Sequence, residues 1–265
     1  MAGRDIGLMA SHIHQLRAGL RRALTAGEQQ IGTFLKLPSP DVVEMAKTAG
    51  LDFVVIDLEH STLSERDAIA LVRHADVCAI PALVRLTHLD PGVINRLLEN
   101  GAAGIQLSML TTVAQSSGLR AATRYAPRGR RSVSLSNRTA GFGGIGLRAY
   151  LDAESASPPL LVGQIESMTT QPLEELLPGL DACFVGTTDL SVDLGPTGPT
   201  LDSQVERIRA AANAAGVPFG GWAGSLDVLD QLGLTAATYL IVGSDAQLLS
   251  RELARIRASD DPNKR

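Results

Sequence analysis

The sequence predicts a (β/α)8 barrel, in which parallel strands alternate with helices and close into a cylinder. Eight short apolar runs alternate with amphipathic or alanine-rich stretches, and no linker or low-complexity tract interrupts them. Apolar strands of this kind are typical of a parallel sheet covered by helices. An open doubly wound sheet is the alternative, but no G-x-G-x-x-G pattern follows the first strand. The length of 265 residues is enough for one closed barrel.

A helix is predicted ahead of the barrel, within residues 1–30. In the stretch HQLRAGLRRALTAGEQQ, Leu16, Leu20 and Leu24 recur at helical spacing, and Gly27 is a suitable stop. We expect this helix to act as a lid on the barrel.

The barrel is predicted to occupy residues 31–258 as a single domain. Its strands are IGTFLKL, FVVIDL, PALVRL, GIQLSM, LLVGQIE, ACFVG, VPFGGWA and TYLIVG, which begin at Ile31, Phe53, Pro81, Gly104, Leu160, Ala182, Val217 and Thr238. Stretches between them, such as SPDVVEMAKTAG and DPGVINRLLENG, begin with a Ser or Asp cap and end at Gly. These stretches are the predicted crossover helices.

Composition limits the classes of partner. The net charge of −4 gives no basic field for nucleic acid or an anionic membrane, so a small polar ligand is the better partner. No apolar run approaches the roughly 20 residues of a membrane span, and no signal pattern opens the chain, which predicts a cytoplasmic protein. Cys78 and Cys183 lie in apolar runs and are expected to be buried thiols. His12 and His14 are expected on a solvated surface.

Polar side chains recur where four predicted strands end, which is the face of a barrel at which active sites form. They are Asp57, Glu59 and His60 after the second strand, Arg85 in the third, Gln164 and Glu166 in the fifth, and Gly186, Thr187, Thr188 and Asp189 after the sixth. A single carboxylate at a strand end is more often a cap or a salt-bridge partner than a catalyst. Four converging ends favour a functional site.

Glu166 and Asp189 follow adjacent strands and are candidate ligands for a divalent cation. Carboxylate oxygens, with water completing the shell, suit Mg²⁺ or Mn²⁺. A solvated acid pair is the alternative, although two close carboxylates without a cation would repel and raise one pKa.

Arg85 and His60 are the candidate catalytic groups. The Arg85 guanidinium could hold a carboxylate or polarise a carbonyl oxygen, and a buried salt bridge to Asp57 or Glu59 is the alternative. His60 is the one histidine of five that follows a predicted strand and has acidic residues, Asp57 and Glu59, beside it in the sequence. Its imidazole could act as a general base near neutral pH, or it could cap a helix.

Five longer blocks of the sequence occur in an order that matches a known family. They are ALTAGEQQIGTFLKLPSPDVVEMAKTAGLDFVVIDLEHS, VRLTHLDPGVINRLLENGAAGIQ, ATRYAPRGRR, QIESMTTQPLEELLPGLDACFVGTTDLSVDLG and YLIVGSDAQLL. Together they resemble the HpcH/HpaI class II pyruvate aldolases, from about Ala23 to about Leu253. The resemblance implies a barrel of the phosphoenolpyruvate/pyruvate type. It also implies a metal-dependent lyase that cleaves 4-hydroxy-2-keto acids to pyruvate and an aldehyde through an enolate, or forms them.

The resemblance also implies catalytic roles. Glu166 and Asp189 would bind Mg²⁺, Mn²⁺ or Co²⁺, and Arg85 would hold the pyruvyl oxygen and stabilise the enolate. His60 would act as the base on the substrate hydroxyl, directly or through a water, and Glu99 would orient it.

The pyruvate carboxylate would bind to backbone N–H groups in the turn of Gly186, Thr187, Thr188 and Asp189, with Gln164 lining the site. Many relatives carry Gly-Pro-Ala-Asp in this turn. The chain therefore keeps the acid and the backbone donors but adds methyl and hydroxyl groups around the carboxylate.

The loop APRGRRSVSLSNRTAGFGGIG is more basic than expected of relatives. Arg128, Arg130 and Arg131 could grip an acidic aldehyde or a phosphate. A solvated loop or a subunit contact is the alternative.

Relatives generally assemble as hexamers in which the last helix packs on a neighbouring subunit. The stretch AQLLSRELARIRAS has an apolar stripe able to do this, at Leu248, Leu249, Leu253 and Ile256. The stripe could equally close its own barrel. Residues 259–265 are a polar tail and are expected to be disordered.

Two other hypotheses fit the same residues. One is a related lyase or synthase that acts on a CoA thioester or an oxaloacetate-like acid. The other is a barrel that binds a small anion without chemistry. A Schiff-base role for Lys36 is disfavoured because the metal pair makes it redundant.

Overall fold

The computed structural model describes residues 6–169 and 171–258, and its centre is a closed barrel of parallel strands in the order β1 to β8. The strands are β1 (Gln30–Leu35), β2 (Phe53–Asp57), β3 (Ala82–Leu86), β4 (Gly104–Leu107), β5 (Leu160–Ile165), β6 (Ala182–Val185), β7 (Phe219–Ala223) and β8 (Tyr239–Ser244). β8 returns to pair with β1. The predicted (β/α)8 barrel is confirmed, and the tail predicted at 259–265 lies outside the described residues.

Helices surround the barrel and connect its strands. They are α1 (Ile6–Thr25), α2 (Pro40–Thr48), α3 (Glu65–Val77), α4 (Pro91–Glu99), α5 (Val113–Thr123), α6 (Leu147–Ala156), α7 (Leu173–Leu176), α8 (Thr187–Leu194), α9 (Leu201–Ala214) and α10 (Asp245–Ala258). Ser64 begins α3 with a capping box, and the Asp90 side chain accepts from two backbone N–H groups at the start of α4. These caps explain why helices begin directly after the loops that follow β2 and β3.

Within the residues that the structure describes, two of the crossovers between strands contain only a very short helix. Between β5 and β6 the only helix among the described residues is the four-residue α7, which Pro172 precedes. Between β7 and β8 the chain forms only a short 3-10 helix, Leu226–Val228. Helix-covered crossovers were expected at both places, so the prediction was too regular there.

The helix predicted ahead of the barrel is α1, and it begins earlier than expected, at Ile6. Leu20 and Leu24 pack with the apolar side chains inside the barrel. Arg21 Nε donates to Asp181 Oδ1 at 2.6 Å, one residue before β6 begins. α1 therefore closes the N-terminal end of the barrel, opposite the strand ends that carry the candidate site.

The expectation that His12 and His14 are solvated is wrong for His14, which is buried, and holds only in part for His12, whose side chain is 34% exposed. His14 Nε2 lies 2.9 Å from Glu154 Oε1 in the buried contact between α1 and α6, and His12 Nδ1 lies 3.0 Å from Asp76 Oδ1. Glu154 also accepts from Arg17 Nη1 at 2.8 Å. The partners stand far along the chain from α1, so local sequence gave no sign of this burial.

The suggested ligand-binding role of the basic loop is also wrong for Arg131. Its Nη1 lies 2.7 Å from Glu154 Oε2, and its guanidinium carbon lies 4.7 Å from the centre of the Tyr125 ring. Arg128 and Arg130 are exposed in the same loop. Because α5 has already carried the chain back from the strand ends, this loop lies away from the site they form.

The apolar stripe of α10 is only partly covered by its own barrel. Leu248 is half-buried, whereas Leu249 and Leu253 are 54% and 57% exposed. None of the helices in the described part of the chain combines the length and the apolar character that crossing a bilayer requires.

Candidate active site

The C-terminal ends of the strands surround a cavity of about 290 Å³. Its walls are formed by Phe34, Lys36, His60, Arg85, Gln164, Phe184, Gly186, Thr187, Thr188, Asp189, Trp222, Ser244 and Gln247. Most of the residues predicted from the strand ends are therefore brought together around one space. Glu166 lies directly behind Gly186, and Glu99 lies elsewhere.

A two-pronged ion pair between Asp57 and Arg85 forms one wall of the site. The two residues are register partners on β2 and β3. Arg85 Nε donates to Asp57 Oδ1 at 2.9 Å, and Arg85 Nη2 donates to Asp57 Oδ2 at 2.6 Å. The salt bridge considered as the alternative for Arg85 thus exists. It fixes the plane of the guanidinium and leaves that group on the cavity wall.

Asp57 is fully buried and is held ionised by its neighbours. Its carboxylate also accepts the backbone N–H groups of Glu59 and His60 at 3.0 and 3.1 Å, and Lys36 Nζ lies 3.3 Å from Oδ2. Burial alone would raise the pKa of Asp57, but the hydrogen bonds and charge of Arg85, with those two N–H groups, bring the pKa below its usual value.

Glu59 links Arg85 to His60. Its Oε2 accepts from Ser108 Oγ at 2.5 Å and lies 3.2 Å from Arg85 Nη1. His60 Nε2 lies 3.8 Å from the same oxygen, and the His60 side chain is 55% exposed. An accessible imidazole beside a fixed carboxylate is an arrangement in which a proton can be taken from a ligand in the cavity.

A chain of hydrogen bonds across the barrel interior orients Gln164 and Glu166. Tyr239 OH donates to Gln106 Oε1 at 3.0 Å, and Gln106 Nε2 donates to Gln164 Oε1 at 2.7 Å. The Gln164 amide nitrogen is thereby turned toward Glu166 and donates to its Oε2. The Glu166 carboxylate is held in one orientation by groups that begin on the far side of the barrel.

Glu166 is buried among like charges. Burial is the largest cause that raises its pKa, and the carboxylates of Glu59 and Asp189 raise it further. The Gln164 amide and the Met109 N–H, which donates to Oε1 at 2.7 Å, oppose this shift without cancelling it. The site therefore concentrates negative charge at the place where a cation was predicted.

The carboxylates of Glu166 and Asp189 fit a hard divalent cation. Both offer oxygen donors, and each Glu166 oxygen retains a lone pair beyond the hydrogen bond it accepts. Gly186 leaves space for this arrangement, because a Cβ there would lie 2.7 Å from Glu166 Cβ and 2.8 Å from Glu166 Oε2.

The turn after β6 presents backbone donors to the cavity. Gly186 precedes α8, and the first backbone bond of this helix runs from Leu190 N–H to Gly186 O at 3.0 Å. The N–H groups of Thr187, Thr188 and Asp189 therefore have no acceptor within the helix. Such N–H groups, with the positive end of the helix dipole, favour an anion such as a carboxylate.

The expected pairing of Glu99 with His60 does not form within the chain. Glu99 is the last residue of α4, and its Oε1 accepts from Asn95 Nδ2 at 3.3 Å. Because α4 runs back along the outside of the barrel, its last residue lies at the end opposite the cavity. Glu59 is the carboxylate beside His60 in this chain.

Aromatic side chains that were not predicted for the site shape the cavity. Phe34 and Phe184 meet edge to face with ring centres 6.3 Å apart, and Trp222 lies on the same wall. The Arg85 guanidinium carbon lies 4.3 Å from the centre of the Phe34 ring. The alternation of side chains along β1 and β6 was the signal that could have identified the two phenylalanines as inward-facing.

Comparison with known proteins agrees with this architecture. Residues 30–251 match the family model described as HpcH/HpaI aldolase/citrate lyase. A hydroxypyruvate/pyruvate aldolase from Paraburkholderia phytofirmans is 35% identical over 248 residues, covering 90% of this chain and 91% of that protein. A 2-keto-3-deoxy-L-rhamnonate aldolase from Escherichia coli K12 is 32% identical, covering 88% and 89%. The crystal structure of an HpcH/HpaI aldolase/citrate lyase family protein from Burkholderia cenocepacia superimposes with a TM-score of 0.82 at 27% identity, covering 91% and 98%.

Proposed function

The chain belongs to the HpcH/HpaI aldolase/citrate lyase family, and from this membership we propose that it is a carbon–carbon lyase of the class II pyruvate aldolase type. It would cleave 4-hydroxy-2-keto acids to pyruvate and an aldehyde, or join them in the reverse direction. The two aldolases to which it is similar carry 2-keto acids in their names, which supports this substrate class.

The observation that carries the proposal is the meeting of four kinds of group at one small cavity. A guanidinium, an accessible imidazole, a row of backbone N–H groups and two carboxylates line or back a space of about 290 Å³. This volume suits a small keto acid, since pockets for drug-sized ligands are commonly larger, at roughly 300–1,000 Å³.

Glu166 and Asp189 would hold the metal ion, with Mg²⁺, Mn²⁺ or Co²⁺ as the candidates. When bound, such an ion supplies positive charge that stabilises an oxygen on which negative charge develops. Burial and neighbouring acids raise the pKa of the Glu166 carboxyl group. A bound ion would give this buried carboxylate a counter-charge.

Arg85 and the start of α8 would position the pyruvyl half of the substrate. The substrate carboxylate would accept from the N–H groups of Thr188 and Asp189, and the Arg85 guanidinium would lie against the keto oxygen. Because Asp57 and Phe34 already fix the Arg85 fork, this donor needs no reorganisation when the enolate forms.

His60 would act as the base. In the cleavage direction it takes the proton of the C4 hydroxyl, the new carbonyl forms as the C3–C4 bond breaks, and the bonding pair becomes the enolate of pyruvate. A proton at C3 then completes pyruvate. A positioned base of this kind contributes roughly 10²- to 10⁴-fold. Glu59, whose Oε2 lies 3.8 Å from His60 Nε2, would stabilise the imidazolium.

A related lyase acting on a CoA thioester or an oxaloacetate-like acid is the second candidate. The description of the matched family includes citrate lyases, and cleavage of a CoA thioester would likewise pass through an enolate, that of the thioester. The two candidates differ in which substrate is turned over faster, a 4-hydroxy-2-keto acid or an acyl-CoA.

The test measures pyruvate release from a panel of 4-hydroxy-2-keto acids and oxaloacetate and, separately, consumption of an acyl-CoA. The full-length protein is stripped with EDTA and assayed before and after Mg²⁺ or Mn²⁺ is added. We expect metal-restored release that is fastest with a hydroxy-keto acid and is lost in Glu166→Ala. Glu174→Ala, which removes an exposed acid from α7, is the matched control and should retain it. Failure of every hydroxy-keto acid would contradict the proposal.

Two further features are proposed, the assembly of the protein and its location. The exposed Leu249 and Leu253 on α10 support assembly with other copies, and the hexamer implied by the family resemblance is the form we propose. A cytoplasmic location is consistent with small keto acid substrates.

A further inference from the structure

A group of potential metal ligands lies on the outside of the barrel, between α2 and α3. Glu44 belongs to α2, His74 to the last turn of α3, and Cys78 is the residue after that helix. One ligand atom from each residue lies within 4.8 Å of the ligand atoms of the other two. Among the described residues, this is the single group of three histidine, cysteine or acidic side chains that lie this close together. His74 Nε2 and Glu44 Oε1 are 2.8 Å apart.

The fold holds these three side chains together independently of any ion. Cys78 N–H donates to His74 O at 2.9 Å, so the two residues lie one helical turn apart on the same face. Buried Val43 and Ala46 of α2 belong to the same apolar core as α3, which places Glu44 against His74. The fold therefore holds the three side chains close together before any ion binds.

The loop after α3 is tied to α2 as well. Lys47 Nζ donates to Ala79 O at 3.1 Å, so the cation nearest the group is engaged with a backbone carbonyl. This contact fixes the C-terminal end of α3 against α2 without occupying a ligand atom of the three.

The donor set is of a different kind from that at the barrel mouth. A thiolate, an imidazole and a carboxylate are the ligands that Zn²⁺ takes, usually four in a tetrahedron, with water in the remaining position of an open site. Metal–ligand distances near 2.0–2.3 Å place such ligand atoms about 3.3–3.7 Å apart, so rotamer changes at the three side chains suffice. Glu44 is exposed and His74 and Cys78 are half-buried, which leaves a path for an ion.

The Glu44 carboxylate also acts electrostatically on the Cys78 thiol. Burial and then the Glu44 carboxylate raise the pKa of the Cys78 thiol, with Lys47 opposing them. The sequence predicts a buried thiol at Cys78. It does not connect Cys78 with Glu44, because Glu44 belongs to a different helix.

We propose that Glu44, His74 and Cys78 form a second metal site, selective for Zn²⁺ or a similar borderline-soft divalent ion, on the outer face of the barrel. The site does not touch the cavity, since the C-terminal end of α3 lies at the N-terminal end of the strands. Its role is to join α2 to α3 and stabilise the fold. It does not depend on the proposed aldolase function.

Cobalt is the probe that tests this site. The full-length protein is freed of metal and titrated with Co²⁺ while optical absorption is recorded, because a Co²⁺–thiolate bond gives a charge-transfer band that carboxylate ligands do not. With excess Mg²⁺ present to fill the site of Glu166 and Asp189, we expect the band to saturate at one equivalent in the wild type and to be absent in Cys78→Ser. His74→Ala should weaken the affinity by at least about 10-fold.

Two controls separate this site from the barrel mouth. Glu166→Gln should keep the band, and Cys78→Ser should keep pyruvate release. With the same excess of Mg²⁺ present, Zn²⁺ should raise the Tm of the wild type more than that of Cys78→Ser. Absence of the band in the wild type, or its persistence in Cys78→Ser, would overturn the proposal whatever the protein's activity.

Discussion

Glu59 is the residue that joins the separate charges of the cavity. Its carboxylate lies 3.2 Å from Arg85 and 3.8 Å from His60, and it raises the pKa of Glu166. One acid thus contacts or influences three groups of the proposed site: the guanidinium proposed to stabilise the enolate, the proposed base and a proposed metal ligand. Glu59 stands two residues beyond Asp57, and its backbone N–H donates to the Asp57 carboxylate, which holds Glu59 in this position.

Metal binding should therefore respond to Glu59 through pH. Glu166 must lose its proton to bind an ion, and its raised pKa means that affinity falls as pH decreases through a value above that of an ordinary glutamate. Glu59→Gln removes one of the like charges, so the acid-side loss of Mn²⁺ affinity should move to lower pH. Calorimetric titration across the acid range measures this midpoint. An unchanged midpoint, or one equal to the Glu174→Gln control, would contradict the interpretation.

The sequence was sufficient to place residues at the cavity where they stand at strand ends. Arg85, Gln164, Gly186 and Asp189 reach the cavity because each stands at or just beyond the end of a strand. Glu99 could not be placed this way, because it is the last residue of a helix that leads away from the cavity.

At the scale of elements, the junction of β6 and α8 sets the space for the metal ligand. Gly186 has no side chain where a Cβ would meet both Cβ and Oε2 of Glu166. Gly186→Ala should displace Glu166, weaken Mn²⁺ binding by about 10-fold or more and destabilise the fold by about 1–3 kcal/mol. Calorimetry and urea unfolding give the two quantities.

The matched control for that substitution is Gly19→Ala, within α1. A Cβ there has no heavy atom within 4 Å, and alanine is the better helix former by about 1 kcal/mol. Equal metal affinity in Gly186→Ala and Gly19→Ala would show that Gly186 is not needed for the ligand geometry.

The contact between α1 and α6 depends on one buried carboxylate. Arg17, His14 and Arg131 all bind Glu154, and although burial opposes it, their charges hold the pKa of Glu154 far below its usual range. Glu154→Gln leaves buried cations without a counter-charge and should cost about 3–5 kcal/mol at pH 7. Urea unfolding at several pH values measures the cost.

The sign of the pH dependence follows from the lowered pKa. Glu154 stabilises the fold at pH values above its unfolded pKa, and this contribution is lost as pH falls through the folded pKa. The difference between wild type and Glu154→Gln should therefore shrink on acidification below the ordinary pKa of a glutamate. A difference that grows in acid would contradict the assignment.

Elements with strong local signals were predictable, and those defined by distant partners were not. The eight strands could be located because each is a short apolar run bounded by turn residues. The burial of His14 and Arg131 depends on Glu154, which stands 140 and 23 residues away along the chain. No periodicity within either segment reports a contact of that kind.

At the scale of the whole molecule, the ion pairs that stabilise the fold and the residues of the candidate site lie at opposite ends of the barrel. α1 and its ion pairs close one end, and the cavity occupies the other. This is the general division of labour in such barrels, whose strand C-terminal ends carry the active site. Changes at Glu154 are therefore expected to lower the Tm while leaving kcat nearly unchanged in the folded fraction.

The exposed part of the α10 stripe predicts an assembly. Leu249 and Leu253 present apolar surface that the chain itself does not cover. Replacing both by glutamate should reduce the mass found by light scattering to that of a smaller species. A wild type that runs as a monomer, or a variant with unchanged mass, would show that these side chains do not join subunits.

The central claim is that the cavity generates a pyruvate enolate, and deuterium exchange tests it without knowledge of the aldehyde. Pyruvate is incubated with the protein and Mg²⁺ in D₂O, and loss of the methyl proton signal is followed by NMR. We predict exchange in the wild type that stops when EDTA removes the metal and falls by about 10²-fold or more in Arg85→Lys, which keeps the charge but loses the two-pronged fork. A wild type that exchanges no faster than buffer, or a rate indifferent to both Arg85 and the metal, would contradict the account.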